Sequence, residues 1–345
     1  MPEKQVDKKT FGFAFFSGFH GSGIRGRGWI RWFCLFFLCG CANGSLFAQQ
    51  IGNQLTQFMR TTYSYNAGYA GLSNGICLTA LHRQQWSGLG LGGGNGKKIA
   101  PNSTFLLADM PLKILKGGVG LEFASYNTAQ FRDIVVNLGY SYHLQTSFGT
   151  IGMGVRAQLE SRGLDYSKLE PDNTSDRILT GKQKENGMYG DVNLGFYLLG
   201  NANYFVGIAV NNLIAHRSEK ISYRPSRYIA VNGGYSFSFR SLPKVEFTPT
   251  AYFETDFTCV SWSLAVMGTF NKRFWAGLSY RFEDAVSILA GMNIAKLQIG
   301  LSYDLTASPF VKASSLGGAV EVTVRYCFGL ETEKVNTEYK NARYL

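Results

Sequence analysis

A catalytic centre needs groups that exchange protons or bind a metal near neutral pH, and this sequence offers few of them. It contains four histidines in 345 residues. Only His82, His143 and His216 lie beyond residue 48. A surface-acting hydrolase built on strands would need one of them beside a serine at the outward end. His143 falls on an inward position near the opposite end of its strand, so no catalytic residue is assigned. Cys34, Cys39 and Cys41 sit in an N-terminal apolar segment, and Cys77, Cys259 and Cys327 are scattered. Their spacing matches neither a metal site nor a disulfide framework. They are read as small buried or lipid-facing residues. The run Gly90–Gly96 is glycine-rich but lacks the strand–GxxxxGK[ST]–helix setting of a phosphate loop. No cofactor or metal is expected.

The polar residues that stand out are charges set among apolar ones. Arg281, Asp284 and Asp304 fall in a stretch that otherwise alternates cleanly. Arg281 and Asp304 both point to the polar side, two strands apart, or about 10 Å at the usual strand spacing. Inward charges need partners, so mutual pairing is the plain reading, and a docking point at the rim is the functional one. Arg83, Trp86 and Gly88 lie where the first strand meets its loop. They read as an interface anchor with a glycine turn, or as a partner contact.

The elements that position these residues are strands. Within 274–305, Phe274, Ala276, Leu278, Tyr280 and Phe282 form one apolar face, Val286 to Ile294 a second and Leu297 to Leu305 a third. Alternation with period two over about ten residues marks a β-strand with one wet side. The same pattern recurs from residue 74 onward, for example in 131–143, 149–161 and 318–328, giving fourteen runs. The composition agrees, with 41 Gly, 26 Phe and 19 Tyr against only 8 Pro. Numbering the connections from the first strand, the long ones (87–101, 162–186, 213–225 and 306–317) are all odd and the even ones are short. Outer-membrane barrels sort their loops this way, and run lengths of about 9–11 residues suit a tilted membrane strand. The fold class expected is therefore all-β, a transmembrane outer-membrane β-barrel of about 14 antiparallel strands covering 74–329.

The flanks read differently. Arg25, Arg27 and Arg31 precede an apolar run, Trp32 to Leu38, and Ala48 is followed by Gln49. Residues 1–48 therefore read as a signal peptide with an over-long start. The run is shorter than the about 20 apolar residues of a membrane helix. Leu38-Cys39-Gly40-Cys41 also reads as a lipoprotein box that would lipidate Cys41. Residues 49–73 have no clean period and read as an arm inside or beneath the barrel, while 330–345 form a polar tail. The net charge is +11. Residues 1–48 hold six Lys or Arg and two Asp or Glu, so removing them leaves +7. That charge is spread out, without the basic cluster of a nucleic-acid site, and outer-membrane lipid is the expected surrounding.

Four stretches resemble the PorP/SprF family of type IX secretion system membrane proteins. One is Phe274–Leu305, with Trp275, Tyr280-Arg281, Asp284-Ala285, Gly291 and Ser302-Tyr303-Asp304. A second, Gln54–Gly71, is similar to the family's opening segment and ends in Tyr69, Ala70 and Gly71. It reads Asn66-Ala67-Gly68-Tyr69 where the family has Asn-Pro-Ala-Tyr. The third, Leu81–Gly88, follows a Tyr-Arg-x-x-Trp-x-Gly pattern, and the closing SLGGAVEVTVRYCF completes the set. The resemblance implies a non-enzymatic outer-membrane subunit serving protein secretion and gliding motility. It implies work with periplasmic ring and peptidoglycan-associated subunits, and with the C-terminal domain of a secreted adhesin. Strands alone leave two other readings open: an outer-membrane channel or small hydrophobic-molecule transporter, and a soluble secreted β-protein.

Overall fold

The computed structural model describes residues 54–73, 75–86, 100–166, 184–215, 224–306 and 317–329. The signal-peptide, Cys41, Gly88, Gly90–Gly96, His216 and C-terminal-tail readings lie outside these residues. Fourteen antiparallel strands close on themselves. They are β1 (Gly75–Gln84), β2 (Asn102–Leu112), β3 (Gly117–Thr128), β4 (Phe131–Thr146), β5 (Gly149–Asp165), β6 (Lys184–Gly200) and β7 (Tyr204–Asn211). Next come β8 (Tyr228–Tyr235), β9 (Val245–Thr255), β10 (Val260–Phe270), β11 (Phe274–Arg281), β12 (Ala285–Ile294), β13 (Leu297–Thr306) and β14 (Ala319–Gly329). Phe237–Ser238 continues β8, keeping its register on β9. Closure is made by β1 and β14, paired from Gly75↔Gly329 to Gln84↔Val320.

Alternation decides which way each side chain faces. On β11, Leu278 is 61% exposed while Trp275 and Arg281 are buried. On β12 and β13, Ile288 and Leu301 face out while Ser287, Ser302 and Asp304 face in. Exposed leucine, valine and phenylalanine on almost every strand give the barrel an apolar outer wall, and the polar residues line the lumen. No helix among the described residues is long and apolar enough to cross a membrane. Closed pairing of every strand is the other way to satisfy a backbone in lipid.

The turns sort as loop parity predicts. Asn271 and Lys272 both take left-handed backbone, and Arg273 N donates to Phe270 O. That is a tight three-residue hairpin, because Phe270 pairs with Phe274. The connections at 85–101, 166–183, 212–227 and 307–318 all leave from the other end of the barrel. That end is taken as outward and the tight-turn end as periplasmic.

One expectation is overturned. Cys77 and Cys327 form a disulfide. They are directly opposed partners in the β1–β14 register, with Cα atoms 4.1 Å apart. A separation of 250 residues hid the pair, because spacing carries no register until barrel closure is known. Cys259 is buried, as a small residue can be.

Two outcomes are expected. Leu278→Arg, in the middle of the apolar wall, should destabilise the barrel by about 2–4 kcal/mol, seen as loss of the compact band at lower temperature on unboiled gels. Cys77→Ser should lower that transition too, by about 2–5 kcal/mol equivalent. Intact-mass or alkylation analysis should find Cys77 and Cys327 blocked until reductant is added.

Candidate functional site

The lumen is filled by the segment that precedes β1. This arm comprises two single turns of 3-10 helix (Phe58–Arg60 and Ala67–Tyr69) and a four-residue helix (Thr62–Tyr65). Helices so short do not hold themselves together. The barrel wall holds them, at three levels.

The outward level is an ionic cluster. Arg83 on β1 pairs with Glu321 on β14 at 2.5 Å and with Asp304 on β13 at 2.8 Å. Arg281 on β11 pairs with Asp284 at 2.6 Å and lies 3.8 Å from Asp304. Thr56 of the arm sits among them. Its hydroxyl donates to Asp304 at 2.6 Å and accepts from Arg83 and Arg281 at 3.1 and 3.0 Å. The backbone N–H groups of Thr56 and Gln57 donate to the two carboxylate oxygens of Glu321. Arg83, Arg281, Asp304 and Glu321 are each at most 4% exposed. Two cations and two acids are therefore buried together, with the arm donating to both oxygens of Glu321 and to Oδ1 of Asp304. An unpaired buried charge is very costly, so each member depends on the others.

The middle level repeats the device. Arg156 on β5 lies 3.3 Å from Glu122 on β3 and donates to the carbonyls of Tyr63 and Ser64 at 2.7 Å each. Ser64 and Asn137 donate to Glu122. Asn211 donates to Tyr65 O. Beside this level, Trp275 lies over Gly291 and Gly300, which are register neighbours on β12 and β13. A Cβ at either glycine would meet the indole. The arm uses this platform, with Arg60 stacked 4.2 Å over Trp275 and bonded to Gln298 at 2.9 Å. Burial, then the nearby Arg325, pull the Arg60 guanidinium down to about 10.

The periplasmic level holds Tyr69, Ala70 and Gly71. The Tyr69 ring meets Tyr197 edge-on at 5.1 Å. Ala70 is fully buried, and its carbonyl accepts from His143 at 2.9 Å. Gly71 has φ of 71°, a left-handed turn against Gly118 that a side chain would block. Asn66 donates to Phe196 O and accepts from Gly68 N. Gly68, standing where the family has alanine, lies against the backbones of Gly152 and Gly195.

The residues singled out from sequence therefore separate. Arg83, Arg281 and Asp304 come together around the arm, and Asp284 joins them with a side chain 32% exposed. Trp86 is half-buried at the outward end of β1, away from the cluster's contacts. Glu321, Thr56 and Arg156 were not singled out. Glu321 was legible as an inward acid beside Arg83 only once β1 and β14 were known to pair. Gly71-Leu72-Ser73-Asn74-Gly75 has the G-x-S-x-G spacing of a nucleophile elbow. Ser73 precedes β1 rather than turning into a helix, and its hydroxyl accepts from Arg325 at 2.7 Å.

Residues 47–326 match the family described as type IX secretion system membrane protein PorP/SprF. The chain belongs to the PorP/SprF family. No curated protein sequence matches it. Among solved structures, the Ralstonia pickettii toluene transporter TbuX is similar at TM-score 0.47 and 10% identity, over 76% of this chain and 92% of that one. A Pseudomonas aeruginosa FadL homologue gives 0.45 and 12%, over 84% and 96%. The Acinetobacter baumannii outer membrane protein Omp33 gives 0.40 and 8%, over 75% and 100%. At this level the likeness says nothing about what a PorP/SprF barrel carries.

Arg83→Met should strand Asp304 and Glu321 and cost about 3–5 kcal/mol. The arm should loosen first, so limited trypsin digestion should newly cut at Arg60 while the strands stay protected. Gly300→Val should displace Trp275 and expose the same site without touching a charge.

Proposed function

We propose that this PorP/SprF barrel is a plugged, non-enzymatic docking subunit of the type IX secretion machinery, supporting export or surface attachment of secreted adhesins and gliding motility. The observation that carries the reading is the arm. A lumen occupied by its own chain and fixed by buried ion pairs at two levels suits a scaffold better than a conduit. The family membership supports the secretion role.

In this reading the signal peptide is removed and the barrel sits in the outer membrane. The short turns meet periplasmic ring and peptidoglycan-associated subunits. Outward, Asp284 is the part of the ionic cluster open to a partner, with Trp86 and Gly88 beside the first long loop. The C-terminal domain of a secreted adhesin is the partner this rim is proposed to take. Tyr69, Ala70 and Gly71 serve the arm rather than the partner.

Deleting the gene should abolish surface display of one or more secreted adhesins and impair gliding, scored by surface proteomics and colony spreading. Unchanged secretion and spreading would exclude the role. In planar bilayers the purified barrel should stay closed. Steady open currents would favour the transporter reading instead.

A further inference from the structure

Above the arm, on the wall made by β3 to β5, β8 and β9, the lumen keeps a cavity of about 320 Å³. Its floor includes Thr61 and Tyr65 of the arm, and its lining rises to Thr128 and Asp133 at the outward strand ends. It therefore opens toward the outside and reaches down to the middle level, whose Glu122, Arg156 and Ser64 line it.

Two carboxylates in this cup have no counter-charge among the described residues. Glu122 is matched by Arg156 and Asp133 by Arg162. Glu160 on β5 and Glu254 on β9 form no ion pair among the described residues. The arginines whose fields reach them, Arg162 and Arg281, are already paired with Asp133 and Asp284. Glu254 is 2% exposed. One of its oxygens accepts from Tyr252 at 2.8 Å; the other makes no hydrogen bond within 3.5 Å to a described residue, although the Gln54 amide, bonded to Ser261, lies near enough to act on it. The Oδ1 of Asn137, 3% exposed on the same lining, is likewise unused. Tyr126, Tyr228 and Tyr252 line the cavity too. Uncompensated carboxylates, spare acceptors and tyrosine rings in one desolvated cup are the elements of an organic-cation cage. The described residues contain no group of three metal-ligating side chains, which sets metal ions aside.

We propose that this cup binds an alkylammonium or guanidinium group, carried by a free polyamine or by a lysine or arginine side chain of an extracellular polypeptide. The cation would enter from outside, donate to Glu254 and Asn137, and lie against the tyrosine faces. The proposal does not rest on the secretion role, because it concerns the isolated barrel.

The test is calorimetric titration of the full chain, purified in detergent, with spermidine and with an acetylated, amidated lysine-rich peptide. Saturable binding of either amine is expected, and the tighter of the two assigns the source. Glu254→Gln should weaken it about tenfold, as loss of one charge-assisted contact does. Glu160→Gln, at a half-exposed position, should weaken it less and serves if the first variant fails to give a compact band. Neutral 1,4-butanediol and anionic succinate should not bind. No amine binding, equal binding of butanediol, or glutamine variants that bind like the parent chain would each overturn the proposal.

Discussion

Charge inside a membrane barrel has to be answered from within the barrel, and this requirement organises the protein. The wall places Arg83, Arg281, Asp304 and Glu321 in one buried layer. Paired only with each other they would leave carboxylate lone pairs unmet. The arm supplies the missing donors, with Thr56 and Gln57 offering two backbone N–H groups to Glu321 and one hydroxyl to Asp304. The arm is thus part of the charge balance of the lumen. Replacing it by water would return solvent to four ions but lose the geometry that holds three strands to one threonine.

The second and third levels show the same logic with different chemistry. Arg156 gives its guanidinium to two arm carbonyls at the end of a short helix, where carbonyls have no helical partner. Below, contact is made by absence of side chains, with Gly68 and Gly71 against Gly152, Gly195 and Gly118. The glycine richness of this chain, noticed first as a barrel trait, is in part the clearance that the arm needs. Trp275 fits the same account. Gly291 and Gly300 give the ring a flat bed, and the ring gives Arg60 a surface to stack on.

This explains which parts were legible beforehand. Strand number, facing and loop parity follow from period-two alternation, a property of neighbouring residues, and they emerged close to the observed strands. The stretch from Phe274 to Leu305 was read with the correct face outward at every strand. Contacts that need register across the closure were not legible. Cys77 meets Cys327, and Arg83 meets Glu321, only because β14 returns to β1 with those residues opposed. The arm was ambiguous for a further reason. Its residues meet the wall on several sides and the cavity on another, in short turns of changing helix type, so no single period separates a wet face from a dry one.

Closure and plugging are coupled by the order of the chain. The arm comes before β1, yet at the outward level it bonds to β13 and β14, 245 to 265 residues later. Those bonds cannot form until the last strands arrive, which is also when β14 reaches β1. At that moment three things are completed on the same seam: the ten-pair ladder, the Arg83–Glu321 pair that spans it, and the arm's donors to Glu321. The disulfide between Cys77 and Cys327 then ties the seam toward its periplasmic end. A barrel closed without the arm would have buried Glu321 against Arg83 with one carboxylate oxygen, Oε2, unmet. An arm docked without closure would have no Glu321 to bind. Each is stable only with the other, so the empty barrel is disfavoured by the same charges that line it.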